Sequence, residues 1–145
     1  VRISEGRRIL AALSLGAQGV QIGTRFAATV ESSAHENYKR KIIESGDNDT
    51  VLAFRKIGLV RMIKNAFATR AVQAEFEGWN IDQLKELLGT KRERLGIFEG
   101  DLTEGELEAG QGSGLIREIL TVKGLFNKLL SEISEAEKRN KKLIG

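Results

Sequence analysis

Gly23 and Thr24 are adjacent residues whose types, directly after a short apolar run, suit the holding of an anion. They close the stretch Gly19-Val20-Gln21-Ile22-Gly23-Thr24-Arg25-Phe26. Gly23 has no Cβ, so its backbone admits a ligand at close range, and Thr24 offers an N–H and a hydroxyl. Backbone amides where a strand turns into a helix are placed to bind a phosphate. A second glycine-rich pair, Gly110 and Gln111, reads from its residues as part of a bend before the helix expected near Leu115. The run around it lacks Gly-x-Gly-x-x-Gly spacing and no Lys-Ser/Thr follows, which excludes a dinucleotide fingerprint and a P-loop. His35 is the sole histidine, and no Ser, Cys or carboxylate constellation accompanies it. A surface or capping role is expected for it, rather than that of a base. Lys91, Arg92 and Arg94 form a basic run around Glu93, expected as a solvated loop or helix end; a phosphate-bearing substrate tail is its less favoured use.

The elements that must position these residues follow from periodicity and caps. Val20 to Ile22, bounded by glycines, reads as a buried parallel strand. Ser4 is expected to cap a helix from about Glu5, with Ile9, Leu10, Ala12 and Leu13 facing a core and Gly16 ending it. Ala27 to Val30 suits a helical turn. Ser33 with Glu36 reads as a capping box opening a helix through about Glu44, with Tyr38, Ile42 and Ile43 on one face. Gly46 to Asp49 is turn chemistry, and Thr50 to Phe54 a short strand. The stripe Val60, Ile63, Phe67 and Ala71 predicts a helix from Leu59 to about Glu77. Asn80 with Gln83 caps the next, which Gly89 stops; Thr103 with Glu106 reads as another capping box, and a helix is expected from near Leu115. Thr121 caps the last, whose stripe Val122, Leu125, Phe126, Leu129, Leu130 and Ile133 thins toward Lys142.

With 145 residues, 41% hydrophobic and 30% charged, the chain reads as a soluble globular protein rather than a disordered one. The net charge of +3 comes from 23 basic and 20 acidic residues interleaved along helices, so solvated faces are favoured over nucleic-acid binding. There is no cysteine, hence no disulfide and no thiolate metal site. No apolar run approaches the ~20 residues of a membrane span, so no membrane partner is expected and the setting is read as cytoplasmic. Proline is absent, which fits a mostly helical chain.

An ordered series of motifs carries a resemblance along nearly the whole chain: Arg2-Ile3-Ser4-Glu5-Gly6-Arg7, Leu15-Gly16-Ala17-Gln18-Gly19-Val20-Gln21-Ile22-Gly23-Thr24-Arg25-Phe26, Glu31-Ser32, Ala34-His35, Tyr38-Lys39, Asp49-Thr50-Val51, Lys64-Asn65, Gly100-Asp101, Gly110-Gln111 and Gly114-Leu115-Ile116. The series resembles the FMN-dependent nitronate monooxygenases (2-nitropropane dioxygenases) and the similar flavin enoyl-ACP reductases. The resemblance implies an α/β fold, the C-terminal part of a (β/α)8 TIM-type flavin barrel, itself mostly α-helical with one or two short strands. Such a barrel takes roughly 250 residues, so the chain is expected to be a C-terminal half. Its implied parts are residues 1–32 as the last barrel strand with its phosphate turn, 33–100 as a helical subdomain covering substrate, and 101–145 as helices returning to the barrel. FMN is the implied cofactor, its phosphate on Gly23 and Thr24 at the tip of Gln21-Ile22. The neighbouring phosphate turn reads Val1-Arg2-Ile3 where the family has Gly-Gly-Ile, leaving Ile3 and Arg2 as the implied cofactor contacts, with a solvated terminal arginine the favoured reading of Arg2 from its position. Gly110 and Gln111 are implied near the substrate pocket, and Lys64 is read equally as a motif residue or an exposed helix lysine. The family's catalytic histidine falls upstream of residue 1, so no catalytic residue is expected here. The implied substrate is a nitronate oxidised with O2; an enoyl thioester reduced with NAD(P)H is the alternative. A third reading is a non-catalytic helical fragment, self-associating as a homo-oligomer or awaiting a complementing N-terminal half.

Overall fold

The computed structural model describes residues 3–144. Helix α1 spans Gly6–Ser14, and the long α6, Val122–Ile144, lies along it. The approach is very close at Gly6, where a Cβ would sit 2.3 Å from the Leu129 carbonyl oxygen. The Gly6 N–H donates to Glu132 Oε2 at 2.6 Å, so a carboxylate of α6 serves the first turn of α1. The N-cap of α1 is Glu5 and its side chain makes no capping bond, which corrects the expected cap at Ser4. As the sequence suggests, Thr121 precedes α6 and its Oγ1 accepts the Gly124 N–H at 3.0 Å.

The short helix α2, Thr24–Ala27, is followed by Thr29, which bridges in parallel to Leu120. The expected helical turn at Ala27 to Val30 is therefore displaced by about one turn toward the N-terminus. Helix α3 spans Glu36–Glu44, and its N-cap is His35, whose Nδ1 accepts the Asn37 N–H at 3.1 Å. This corrects the Ser33–Glu36 capping box: the His35 N–H is drawn to the Ile97 carbonyl at 2.7 Å, which holds His35 extended and starts the helix after it.

Strands β1 (Thr50–Ala53) and β2 (Val60–Ile63) form an antiparallel hairpin, and helix α4 runs over Ala66–Phe76. The helix expected from Leu59 is thus a strand followed by a helix. Residues 60–63 pair with β1 on one side, while Leu107 to Ala109 lie along the other, with Ile63 N–H on Leu107 O and Ala109 N–H on Arg61 O. Asn65 ends the extended run: its Oδ1 accepts the Ala68 N–H at 2.8 Å, and its Nδ2 donates to the Leu102 and Gly105 carbonyls. Phe54 adopts φ 61° in the hairpin turn, a backbone state costing of order 1–3 kcal/mol in a bulky residue. Its fully buried ring, 5.9 Å from that of Phe67, offsets this. Helix α5, Ile81–Leu88, has the expected reciprocal capping box of Asn80 and Gln83, and Gly89 ends it at φ 65°.

A π-helical segment, Arg94–Phe98, and a 3-10 turn, Gln111–Leu115, complete the chain. The expected box at Thr103 and Glu106 opens no helix, because Asp101 Oδ1 takes the amides of Thr103 and Glu104 and folds a turn instead. A helix beginning near Leu115 is likewise absent; the 3-10 turn ends there and extended chain leads to Leu120. One core gathers Ala28, Tyr38, Ile42, Ile63, Leu107 and Ile116, from segments far apart in sequence; a second packs Phe54, Met62, Phe67 and Leu84 around the hairpin.

The strand expected at Val20 to Ile22 is irregular chain, with Gln21 exposed and Val20 and Ile22 half-buried. Gln18 to Ile22 exchange no hydrogen bond with any described residue. A parallel strand is defined by neighbours on its flanks, and the described residues place none there.

Candidate functional site

Gly23 caps the start of α2, and Thr24 is its first residue. Thr24 Oγ1 accepts the Gly110 N–H at 2.9 Å, joining two segments 86 positions apart. Gly23, Thr24 and Gly110 line one side of a cleft of about 400 Å³, and Tyr38, Ile97 and Glu108 line the rest with Arg61 and two alanines. Thus three candidates chosen from the sequence stand together. Gln111 is exposed on the 3-10 turn, Gln21 is exposed, Ile22 and Ile3 are half-buried, and none of these four lines the cleft. Arg2 lies outside the described residues.

The corner has the features of a phosphate cradle. No described acceptor takes the N–H of Gly23, Thr24 or Arg25. These are the orphan donors that begin a helix. The Thr24 hydroxyl accepts from Gly110 and keeps its own hydrogen for a further partner. Gly23 has φ −93°, a value any residue adopts, and a Cβ there would meet nothing within 4 Å. The chain itself does not require glycine at this point. Gly110 is more confined, since its Cβ would stand 3.3 Å from Thr24 Oγ1. The residues present therefore fit a phosphate held by neutral donors.

Arg25 does not extend this set. Its side chain is 4% exposed and its Nη1 donates to the Glu118 carbonyl at 2.9 Å, which fastens α2 to the segment before α6. Burial pulls its guanidinium pKa down, and the carboxylates of Glu118 and Glu132 oppose that.

The opposite wall is set by long-range pairing. The Tyr38 hydroxyl donates to the Glu108 carbonyl, in a segment that β2 holds in place. Burial, reinforced by the Glu108 carboxylate, pushes the Tyr38 phenol above its ordinary pKa, so it stays protonated. Behind this wall Glu106 is 5% exposed, and its carboxyl is raised to about 7 by burial first and by the charges of Glu108 and Glu93, with Arg92 opposing. Tyr38, Arg61, Ile97 and Glu108 were not marked as cleft residues by the sequence. The local signal was the buried-face position of Tyr38; the others reach the cleft through pairings that no local pattern encodes. Among the described residues no group of His, Asp or Glu is arranged to hold a metal, and no helix is long and apolar enough to cross a membrane.

The family model for nitronate monooxygenase matches residues 3–132. A probable nitronate monooxygenase of Bacillus subtilis (strain 168) is 35% identical over 127 residues, which are 87% of this chain and 36% of that protein. Among solved structures, FabK from Thermotoga maritima matches with a TM-score of 0.89 at 39% identity, over 97% of this chain and 45% of the other. A nitroalkane oxidase from Streptomyces ansochromogenes gives a TM-score of 0.73 at 28% identity, over 94% of this chain and 39% of the other. The chain thus spans less than half the length of these relatives. Within that span, it belongs to the nitronate monooxygenase family.

Proposed function

We propose that this chain supplies the phosphate-binding corner and one wall of the substrate cleft in an FMN-dependent oxidoreductase of the nitronate monooxygenase type, which oxidises nitronates with O2. The observation that carries the reading is the Gly23–Thr24 corner: unclaimed amides at the mouth of a cleft, tied by Thr24 to Gly110. Bound FMN would supply the electron transfer and O2 chemistry that no side chain here offers. Gly23 and Thr24 would hold its phosphate. Tyr38, kept protonated and spent as a donor to a carbonyl, shapes the cleft and is no base. Ile97, Ala27 and Ala109 give part of the cleft an apolar lining. Family membership supports the nitronate substrate.

Catalysis in this reading needs upstream (β/α)8 strands, which would pair with the unbonded Gln18–Ile22 segment, and an upstream base. The chain alone is then inactive and binds FMN weakly. Its partners are a small-molecule substrate and the complementing half, or a second copy covering the same open edge, in the cytoplasm. A second reading, reduction of an enoyl thioester with NAD(P)H, is favoured by the likeness to FabK. The deciding assay joins the chain to the upstream half of the B. subtilis relative. It compares O2 uptake on propyl-2-nitronate with NADH consumption on a crotonyl thioester. Nitronate-dependent O2 uptake is expected; NADH consumption alone selects the second reading, and neither activity defeats both.

A further inference from the structure

Across the π-helical segment from the first cleft lies a second one, of about 620 Å³. Ile97 of that segment faces the first cleft, while Arg94 and Leu95 line the second with Gly89, Thr90, Lys91, Arg92 and Glu99. Its lining side chains carry three cations and one carboxylate. The cations differ in how far they are committed. Arg92 is fixed: it donates to the Leu88 and Glu104 carbonyls, pairs with Glu104 at 3.3 Å and lies 4.6 Å over the Phe67 ring. Arg94 meets Glu99 through Nε alone, at 3.1 Å, and both side chains are mostly exposed. The Lys91 ammonium has no described partner. A rigid guanidinium, a second one with its terminal nitrogens open, a mobile ammonium and the Thr90 hydroxyl form a donor set matched to clustered phosphate oxygens.

We propose that this cleft binds the diphosphate group of a nucleotide-bearing ligand. The volume exceeds what a single phosphate fills, and the excess of positive charge suits a group bearing several negative charges. A ligand anchored here would lie beside the segment whose other face borders the Thr24 cleft. Glu99 competes with the ligand for Arg94. The proposal stands independently of flavin binding.

The test is a titration of the isotope-labelled 145-residue chain with inorganic pyrophosphate at low ionic strength, followed by amide shifts. Saturable shifts at residues 89–94, with Gly23 and Thr24 unmoved, are expected. The double substitution Lys91→Gln with Arg94→Gln should weaken binding about tenfold or more, and Glu99→Gln should tighten it a few-fold. Salt at about 0.5 M should weaken it strongly, because the Debye length then falls to about 4 Å. NADH and coenzyme A, each bearing a diphosphate, form two further arms, and shifts of the same residues by either one identify the source. Shifts confined to other residues, unaltered affinity in both variants, or an adventitious ion only, meaning pyrophosphate binding that neither NADH nor coenzyme A reproduces, would overturn the assignment.

Discussion

Glu106→Gln should remove a pH dependence of stability that the fold imposes on this one carboxyl. Glu106 is 5% exposed, its side chain faces the negative charges of Glu108 and Glu93, and only Arg92 offsets them. Its pKa rises from the ordinary 4.5 to about 7 in the folded chain. The sign follows directly. A carboxyl that binds its proton more tightly when folded stabilises the fold fully below pH 4.5, and that contribution is lost as pH rises through about 7. At ~1.36 kcal/mol per pKa unit the interval corresponds to about 3 kcal/mol. Urea unfolding of both proteins at pH 4, 6 and 8 isolates the effect. Glu5, Asp101 and Glu104, whose pKa values are lowered by their own partners, titrate in both and cancel in the difference. The variant should match the parent near pH 4 and exceed it by about 2–3 kcal/mol at pH 8. Parallel stability curves across this range would show that Glu106 is solvated, refuting the reasoning.

Gly6→Ala should destabilise by about 1–3 kcal/mol despite alanine's better helix propensity, because the added methyl meets the Leu129 carbonyl and the Glu132 Cβ of α6. A raised melting temperature would contradict that close approach. Asn65→Ala removes a helix cap together with both anchors of the 102–105 turn and should cost about 3 kcal/mol in denaturant unfolding. A loss no greater than a single exposed cap, about 1 kcal/mol, would mean the turn stands without it. Gly100→Ala should open the contact with His35, since Gly100 has φ 78° and its Cβ would fall 2.3 Å from His35 Nδ1. Faster amide exchange at the start of α3 is the expected signature, and unchanged exchange would argue against it.

Elements specified by neighbours in sequence were legible, and those specified across the fold were not. The Asn80–Gln83 box and the Thr121 cap satisfy amides within three residues, so local pattern suffices for them. Ser33–Glu36 has the same pattern, yet the distant Ile97 carbonyl decides where α3 begins. Val60, Ile63, Phe67 and Ala71 keep helical spacing, but pairing with β1 and with Leu107 to Ala109 outweighs that spacing through Ile63. Residues 20–22 have strand composition without the flanking strands that would make one. At the site, Gly23 and Thr24 could be chosen from residue type, whereas Gly110 was marked only through the family resemblance. Tyr38 and Glu108 come together at the cleft through a hydroxyl-to-carbonyl bond spanning 70 positions and through the pairing of residues 107–109 with β2.

The central claim is that a ligand's phosphate, and not the fold, requires glycine at position 23. Gly23→Val measures this directly, because φ −93° accommodates valine and its Cβ meets no neighbour. In the chain joined to an upstream barrel half, FMN should titrate to a stoichiometric yellow complex. The substitution should weaken that binding at least tenfold while leaving the unfolding midpoint unchanged. Equally tight flavin binding by the variant would contradict the account.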